Sequence, residues 1–304
     1  MVLISLNLNL KEYYMKLKDK IILTIARFTR KHSFKGMQRI LNFIFPPSNE
    51  NKISTVIDDY DGDLKINIDT SSFLEWFLFF KRDYESDVIK LIKKILKPGS
   101  IAIDVGANIG IHTLVMSNKI GRNGKVLAVE PQPEILERLK SNISLNNIKN
   151  IQVLPIALSS KPGKVILYTH SDKYNNKAQS SFYKNHAENN LTRKIRVSVK
   201  TIDQIINDEK LKKVDFIKID TEGNDFNVLK GAEKTICNHK PFIVFEYEKK
   251  CWNLSDSKLE SAFQFLKGLN YFVYLILNKG QLLKLKNFNI DYANILASPY
   301  ELQG

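Results

Sequence analysis

The sequence contains little cysteine and no long apolar run, and both features limit the classes of protein to which it can belong. Two cysteines among 304 residues, Cys237 and Cys251, provide neither a disulfide framework nor the clustered spacing of a zinc site. No apolar run approaches the roughly 20 residues that span a bilayer, and the apolar start lacks the early positive charge of a signal peptide. We therefore expect a soluble protein of the reducing cytoplasm, with peripheral membrane contact as an open alternative.

Acidic residues are too few to balance the basic ones. The chain has 46 Lys and Arg against 32 Asp and Glu, a formal net charge of +14. Half of this excess lies in residues 11–40, and elsewhere the basic residues are dispersed, as on solvated faces. A nucleic-acid surface would need a broader basic stripe. The distribution therefore predicts a local N-terminal feature and no specific nucleic-acid partner.

Residues 1–52 are predicted to form a basic amphipathic extension. Its apolar residues recur at near-helical spacing until Pro46-Pro47 ends the pattern, and they include Leu17, Ile21, Ile22, Ile25 and Phe28. Such a helix can pack its apolar face on the rest of the protein, or it can lie on an anionic membrane. Of these two hypotheses, we favour packing on the rest of the protein.

Residues 53–100 are predicted to form a hairpin followed by an aromatic cap. Alternating apolar residues flank Asp61-Gly62, which is typical of a two-stranded hairpin. The segment 72–80 then carries five aromatic residues before a helix near 88–96. This aromatic segment either covers a bound ligand as a lid or packs in the core.

Strand and helix patterns alternate over residues 101–304. Strands are expected near 101–105, 125–130, 151–155, 214–220 and 242–246, and helices near 109–119, 133–146, 225–236 and 256–268. This alternation predicts a parallel sheet, extended by strands near 271–277 and 292–297, the last of them antiparallel.

The predicted fold is therefore α/β and Rossmann-like, with a mostly parallel seven-stranded sheet and helices on both faces. Two short strands, near 163–169 and 195–200, interrupt the alternation around a polar loop that contains Gln179-Ser180-Ser181-Phe182. Loops carry variable binding residues, so we expect substrate contacts here.

The first strand of this region enters a glycine turn, Asp104-Val105-Gly106-Ala107-Asn108-Ile109-Gly110. Strand, glycine loop and helix form a cradle for a nucleotide cofactor, because glycine lets the backbone approach a ligand. Glu130 ends the next strand, 20 residues after Gly110, where an acid can accept both ribose hydroxyls. A dinucleotide fingerprint would also need glycine at positions 108 and 111, which Asn108 and Ile111 occupy.

S-adenosylmethionine is the cofactor that this pattern favours. It lacks phosphate, so it tolerates two glycines four residues apart, and its ammonium suits an acid such as Asp104 at the strand end. An ordinary turn capped by a buried aspartate is the alternative. The predicted cofactor-binding residues are Asp104, Gly106, Ala107, Asn108, Gly110 and Glu130.

Acidic residues end four of the predicted parallel strands, namely Asp104, Glu130, Asp220 with Glu222, and Glu246 with Glu248. Ligands of open α/β sheets bind at such ends, so these acids are expected to converge on one crevice. Buried carboxylates are costly without a cation beside them. The sulfonium and ammonium of S-adenosylmethionine meet that need, and a divalent cation held by Asp220 and Glu246 is the alternative.

Four motifs together resemble the FkbM family of S-adenosylmethionine-dependent methyltransferases, namely 104–110, Glu130-Pro131, Ile217–Gly223 and Val228–Ala232. The resemblance covers about residues 84–250. It implies a class I methyltransferase fold, cofactor contacts at the glycine turn and Glu130, and O-methylation of a small-molecule hydroxyl, often on a sugar or polyketide. His112 departs from the family, which often has an aromatic residue there, and the first 80 residues lie outside the match.

Methyl transfer to oxygen also requires removal of the hydroxyl proton. Asp220 is our first candidate for the catalytic base or a metal ligand, followed by Glu246 and then Glu222. Glu222 can instead cap the helix that begins near Asn224. His112 is a weaker candidate, because a single histidine near a helix start is more often structural.

Two other functions compete with this hypothesis. Amino-methylating nucleic-acid enzymes carry Asn or Asp, Pro, Pro and an aromatic residue after the fourth strand, whereas this chain has Asp220-Thr221-Glu222-Gly223, and an acidic crevice is a poor seat for phosphates. A non-catalytic, membrane-associated binding protein with the same fold is the second alternative, against which the intact cofactor motif argues. The oligomeric state and the methyl acceptor are not determined by the sequence.

Overall fold

The computed structural model describes residues 20–32, 34–47, 52–81, 84–169, 180–183 and 193–302. These residues form fourteen strands: β1 (Ser54–Ile57), β2 (Ile66–Asp69), β3 (Ile101–Val105), β4 (Lys125–Val129), β5 (Ile151–Leu154), β6 (Ala157–Leu158), β7 (Gly163–Thr169), β8 (Ser180–Ser181), β9 (Arg193–Lys200), β10 (Phe216–Ile219), β11 (Phe242–Glu248), β12 (Phe272–Ile276), β13 (Leu282–Lys284) and β14 (Tyr292–Ser298).

The same residues form eleven α-helices. The described part of α1 is 20–31. The others are α2 (Met37–Ile44), α3 (Phe73–Lys81), α4 (Ser86–Ile95), α5 (Ile111–Ile120), α6 (Pro133–Leu145), α7 (Ile202–Asp208), α8 (Asp225–Lys230), α9 (Glu233–His239), α10 (Lys249–Asn253) and α11 (Leu259–Gly268).

A mostly parallel sheet forms the centre of the fold, in the strand order β13–β12–β14–β11–β10–β3–β4–β5. The five strands from β11 to β5 are parallel neighbours, and β14 is antiparallel to both β11 and β12. The predicted α/β sheet and its antiparallel last strand are therefore confirmed. The predicted count of seven is wrong, because the three-residue β13 adds an eighth, edge strand that is too short for a period-2 pattern to indicate.

Helices cover both faces of this sheet. One face packs against α4 and α5 through residues such as Val88, Ile92 and Leu114. The other face packs against the helices of the second half of the chain, α7, α8, α9 and α11. The helix predicted over 225–236 is in fact two, α8 and α9, separated where the backbone of Gly231 lies against the carbonyl oxygen of Ser159 so closely that a Cβ would overlap it.

Two smaller sheets flank the central one. β1 and β2 form the predicted antiparallel hairpin, and β7 and β9 pair antiparallel between β6 and β8. Ser180, Ser181 and Phe182 of the predicted substrate loop line a cavity at the carboxyl ends of the central strands, whereas Gln179 lies outside the described residues.

The helices α1 and α2 pack on α3. Ile22 and Ala26 of α1 are buried, the Thr29 hydroxyl donates to the carbonyl of Phe80 at 2.8 Å, and the Trp76 indole N–H donates to the carbonyl of Phe45 at 2.5 Å. Residues 1–19 lie outside the described part, so a single extension over 1–52 stays a prediction. Among the helices described, none has both the length and the apolar character needed to cross a bilayer.

Candidate active site

A cavity of about 440 Å³ opens at the carboxyl ends of β3, β4, β10 and β11. Strand register aligns Val105 with Val129 on one side and with Ile219 on the other, and aligns Ile219 with Phe245. The residues that follow, which include Gly106, Glu130, Asp220 and Glu246, therefore form one row across four strand ends. All four line the cavity.

The glycine turn forms the floor of this row. Gly106 has φ 79°, its N–H donates to the carbonyl of Val129 at 3.0 Å, and a Cβ there would overlap the carbonyl oxygen of Asp220. Asn108 has φ 51°, which asparagine tolerates, and its side-chain oxygen accepts the N–H of Ile109 at 2.7 Å. The close packing of two strand ends thus requires glycine at position 106, whereas asparagine can adopt the positive φ that the turn needs at position 108.

Glu130 presents a buried carboxylate to the cavity. Its two oxygens accept the backbone N–H groups of Asn108 at 3.0 Å and Gln132 at 2.9 Å. Burial nevertheless raises its pKa to about 7. Each carboxylate oxygen retains a further lone pair, so a vicinal diol in the cavity fits this group. The residues present therefore fit the ribose of a nucleoside cofactor.

The six predicted cofactor residues divide into two sets. Gly106, Asn108 and Glu130 line the cavity, whereas Asp104, Ala107 and Gly110 are not among its lining residues. Asp104 is buried beneath the turn, and its Oδ2 accepts the Thr113 hydroxyl at 2.5 Å. Its Oδ1 has no hydrogen-bond partner among the described residues. Direct contact of Asp104 with a cofactor ammonium stays a prediction.

A buried lysine that the sequence analysis did not select lies under the same row. The Lys218 ammonium is 2.9 Å from Oδ2 of Asp220, and its side chain is 3% exposed. Burial lowers the pKa of Lys218, but the carboxylates of Asp220, Glu85 and Asp104 outweigh burial and raise it well above its usual range. The sequence signal that could have identified it is a lysine within the strand Phe216–Ile219, whose other residues are apolar and buried.

Glu85, which lines the cavity, and His112 form a second buried pair. Glu85 accepts the side-chain N–H of Asn294 at 2.8 Å, and its Oε2 lies 3.2 Å from Nε2 of His112. Burial raises the pKa of Glu85, which Lys218 partly offsets, and burial together with Lys218 lowers the pKa of His112 well below its ordinary value. His112, the weaker base candidate, is thus a neutral, buried side chain beside Glu85.

All three predicted catalytic acids line the cavity, as Asp220, Glu222 and Glu246. Burial raises the pKa of Glu246 well above its usual range, and the nearby charges of Asp220 and Glu85 raise it further. Glu222 has φ 51°, and the N–H groups of its neighbours Thr221 and Gly223 are accepted by Asp225 at 3.1 and 3.2 Å. Asp225 therefore accepts the backbone hydrogen bonds of this turn before α8, where Glu222 was the predicted cap.

The described residues do not gather metal ligands around Asp220 and Glu246. The cation that Asp220 contacts is the ammonium of Lys218. The group with ligand atoms close enough to share an ion is Glu222, Glu248 and Cys251, within which the Cys251 thiol donates to Glu248 at 3.1 Å. Asp220 and Glu246 as metal ligands accordingly have no support in these contacts.

The aromatic segment contributes to both the cavity and the core. Phe73 and Phe77 of α3 line the cavity, and Phe182 lines it as well. Trp76 and Phe79 of the same helix are fully buried. One face of this helix therefore lines the cavity and the other packs in the core, and its role as a lid over a bound ligand stays a prediction.

Fold and cavity together define an α/β protein of the methyltransferase fold. Residues 104–273 match the family described as the Methyltransferase FkbM domain. The match covers more than half of the chain, and the chain belongs to this family.

Two curated relatives are similar over part of the chain. Hexuronic acid methyltransferase AglP of Haloferax volcanii is 31% identical over 164 residues, which cover 53% of this chain and 62% of that protein. Methyltransferase 1 of Beauveria bassiana is 30% identical over 150 residues, 44% of this chain and 59% of the relative. The match thus spans about 60% of the length of either relative.

A crystal structure of a methyltransferase FkbM from Methylobacillus flagellatus KT is similar in fold, with a TM-score of 0.43 and 17% identity. The superposition covers 69% of this chain and 50% of that one.

Proposed function

We propose that this protein is an S-adenosylmethionine-dependent methyltransferase that methylates a hydroxyl of a sugar or another small hydroxylated molecule. The observation that carries the proposal is the row of strand ends, where Glu130 stands at one side of the cavity and Asp220 and Glu246 stand at the other. A carboxylate suited to a ribose and a pair of acids suited to an acceptor hydroxyl therefore share one cavity. The name of the 31% identical relative, a hexuronic acid methyltransferase, supports a sugar acceptor.

The cofactor end of the cavity is the glycine turn with Glu130. The carboxylate of Glu130 would accept the ribose hydroxyls, and the turn from Gly106 to Asn108 would lie against the rest of the nucleoside. When bound, S-adenosylmethionine supplies a methyl group activated by a sulfonium. The carboxylates that line the cavity would favour that positive charge.

Glu246 is the better placed of the acids to accept the hydroxyl proton. The ammonium of Lys218 lies 2.9 Å from Oδ2 of Asp220 and already pairs with that carboxylate. Burial and the neighbouring carboxylates instead raise the pKa of Glu246, which strengthens its anion as a proton acceptor. Asp220 would then orient the acceptor by accepting a hydrogen bond from a neighbouring hydroxyl of the same molecule.

Apolar side chains form part of the cavity wall. Phe73 and Phe77 from α3 and Phe182 from the segment after β8 line it together with Leu167. An apolar wall suits a reaction whose electrophile water would otherwise consume. It also offers ring faces on which the carbon-bound hydrogens of a sugar can pack.

Cofactor binding is tested by calorimetry with S-adenosylmethionine. Glu130→Gln replaces one acceptor oxygen by a donor and should weaken binding by about 10- to 100-fold, the loss of one or two charge-assisted hydrogen bonds. Glu134→Gln is the matched control, because this exposed glutamate of the same segment contacts Arg193 outside the cavity. Equal affinities of the two variants would contradict the assignment of Glu130.

Turnover is tested with labelled cofactor and a panel of neutral sugars, uronic acids and other small alcohols. Glu246→Gln should lower the turnover rate by 10²-fold or more and leave cofactor affinity within about threefold. Asp220→Asn is the comparison that decides between the two acids. A wild-type rate in Glu246→Gln with no turnover in Asp220→Asn would assign the base to Asp220, and methylation of amines alone would refute the hydroxyl acceptor.

A further inference from the structure

The outer side of the two N-terminal helices is apolar and exposed. Of the thirteen large hydrophobic side chains that are exposed among the described residues, six lie within 21–44. Phe43 is 89% exposed, the highest value of the set. The six, called the outer face below, are Ile21, Phe28, Phe34, Ile40, Phe43 and Ile44.

These side chains are not the ones that hold the helices to the protein. In α1 the buried positions are Ile22 and Ala26, and in α2 they are Met37 and Leu41. Both helices therefore have an apolar inner side that packs on the body of the protein and a second apolar side that faces solvent. A surface helix normally presents polar residues there, and concentrated exposed apolar residues mark an interaction surface.

Exposed cations surround the outer face and acids are missing from it. Residues 20–44 contain no Asp or Glu. Arg27 has Asp58 at 4.0 Å, a distant and solvent-exposed pair. The exposed basic residues of this segment are Lys20, Arg27, Lys31, Lys35 and Arg39.

We propose that the outer face docks on the surface of an anionic lipid bilayer. Aromatic and aliphatic side chains flanked by Lys and Arg match both parts of such a surface, since the apolar groups enter the headgroup boundary and the cations attract the anionic lipids. A second copy of this chain would bring like charges face to face. A nucleic acid would leave the six apolar side chains in water.

Docking would act close to the cavity. The Thr29 hydroxyl and the Arg30 guanidinium of α1 donate to the carbonyls of Phe80 and Phe79 at the end of α3. The beginning of the same helix lines the cavity with Phe73. The outer face is thus one helix away from the candidate active site, yet the proposal does not depend on any reaction there.

The test is flotation of the full chain with vesicles of phosphatidylcholine alone or with 30% phosphatidylglycerol. We expect binding to the anionic vesicles that weakens as salt is raised. Phe28→Ser with Phe43→Ser should weaken it at least tenfold. Leu277→Ser with Leu283→Ser, which removes two exposed leucines elsewhere, should leave it unchanged.

A charge-reversal pair keeps the test informative if the serine variant folds poorly. Lys35→Glu with Arg39→Glu should weaken binding by at least about 30-fold, since each lost basic residue contributes about fivefold and each added carboxylate is repelled, and Lys164→Glu with Lys212→Glu should weaken it much less. Circular dichroism verifies the fold of each variant. No binding of the wild type to anionic vesicles, equal effects of both charge pairs, or light scattering that shows a dimer lost in Phe28→Ser with Phe43→Ser would overturn the proposal.

Discussion

Lys218→Met removes the one ammonium that the described residues place under the candidate active site. Methionine keeps the length and apolar stem of lysine, so the packing of β10 is preserved. The carboxylate of Asp220 then loses a partner at 2.9 Å. Glu85 and Asp104, two further buried acids whose pKa values Lys218 holds down, lose it as well.

The expected destabilisation is about 3–5 kcal/mol, the usual cost of removing one partner of a buried ion pair. Coulomb attraction at 2.9 Å with an effective dielectric constant of about 20 is on the order of 6 kcal/mol, and the cost of burying the ammonium offsets part of it. Lys213→Met is the matched control. Its ammonium lies 2.6 Å from Asp215 with the side chain 65% exposed, and such a surface pair contributes about 1 kcal/mol or less.

Urea unfolding of both variants at pH 5 and pH 8 measures these losses. The raised pKa of Lys218 keeps it charged in the folded wild type at both values. In Lys218→Met the folded-state pKa values of Glu85 and Asp104 rise further above their unfolded values, so their contribution to stability is present at low pH and is lost as pH rises. The deficit should therefore be larger at pH 8. Equal deficits in the two variants, or a Lys218→Met deficit independent of pH, would refute the reasoning.

Two further predictions concern the glycine turn and its acid. Gly106→Ala should lower the free energy of unfolding by about 3 kcal/mol or more, because its Cβ would overlap the backbone of Asp220. The control is Gly99→Ala, which should cost only about 1–2 kcal/mol, since Gly99 has φ 82° and open space around it. Equal losses of the two variants in thermal unfolding would argue against the close approach of Gly106 to Asp220. Burial raises the pKa of Glu130 to about 7, so its stabilising contribution is present below the unfolded pKa and lost as pH rises through 7. Relative to wild type, Glu130→Gln should therefore gain about 3 kcal/mol between pH 5 and pH 8, and a constant difference in urea unfolding would contradict this.

Local patterns predicted the sheet and the row of acids well. Strands such as β3 and β4 are short apolar runs with clear ends, and in a parallel sheet such ends meet at one edge, which is why Glu130, Asp220 and Glu246 could be placed together. The glycine turn could also be predicted, because the positive φ of Gly106 favours glycine in any sequence that forms this turn.

The buried charges beneath the cavity could not be predicted in this way. Glu85 and Asn294 are separated by 209 positions in the chain, and nothing in the local pattern of either residue names the other. Lys218 was noticeable as a lysine in a buried strand, and Asp220 follows it two residues later, but Glu85 and Asp104 come from two other elements. The predicted count of seven strands failed for a related reason, since β13 is three residues long and pairs in the sheet with β12 alone among the described strands.

The pairing of β14 with β11 has a consequence for the order of biosynthesis. β14 aligns Asn294 with Glu246 and brings the Asn294 amide within 2.8 Å of Glu85, so a strand that is synthesised after the rest of the cradle completes this hydrogen bond. A nascent chain lacking residues 292–298 would have the cradle of Gly106 and Glu130 but an unsatisfied Glu85 and an open edge on β11. Residues 292–298 must therefore be synthesised and paired with β11 before Glu85 acquires its hydrogen bond from Asn294.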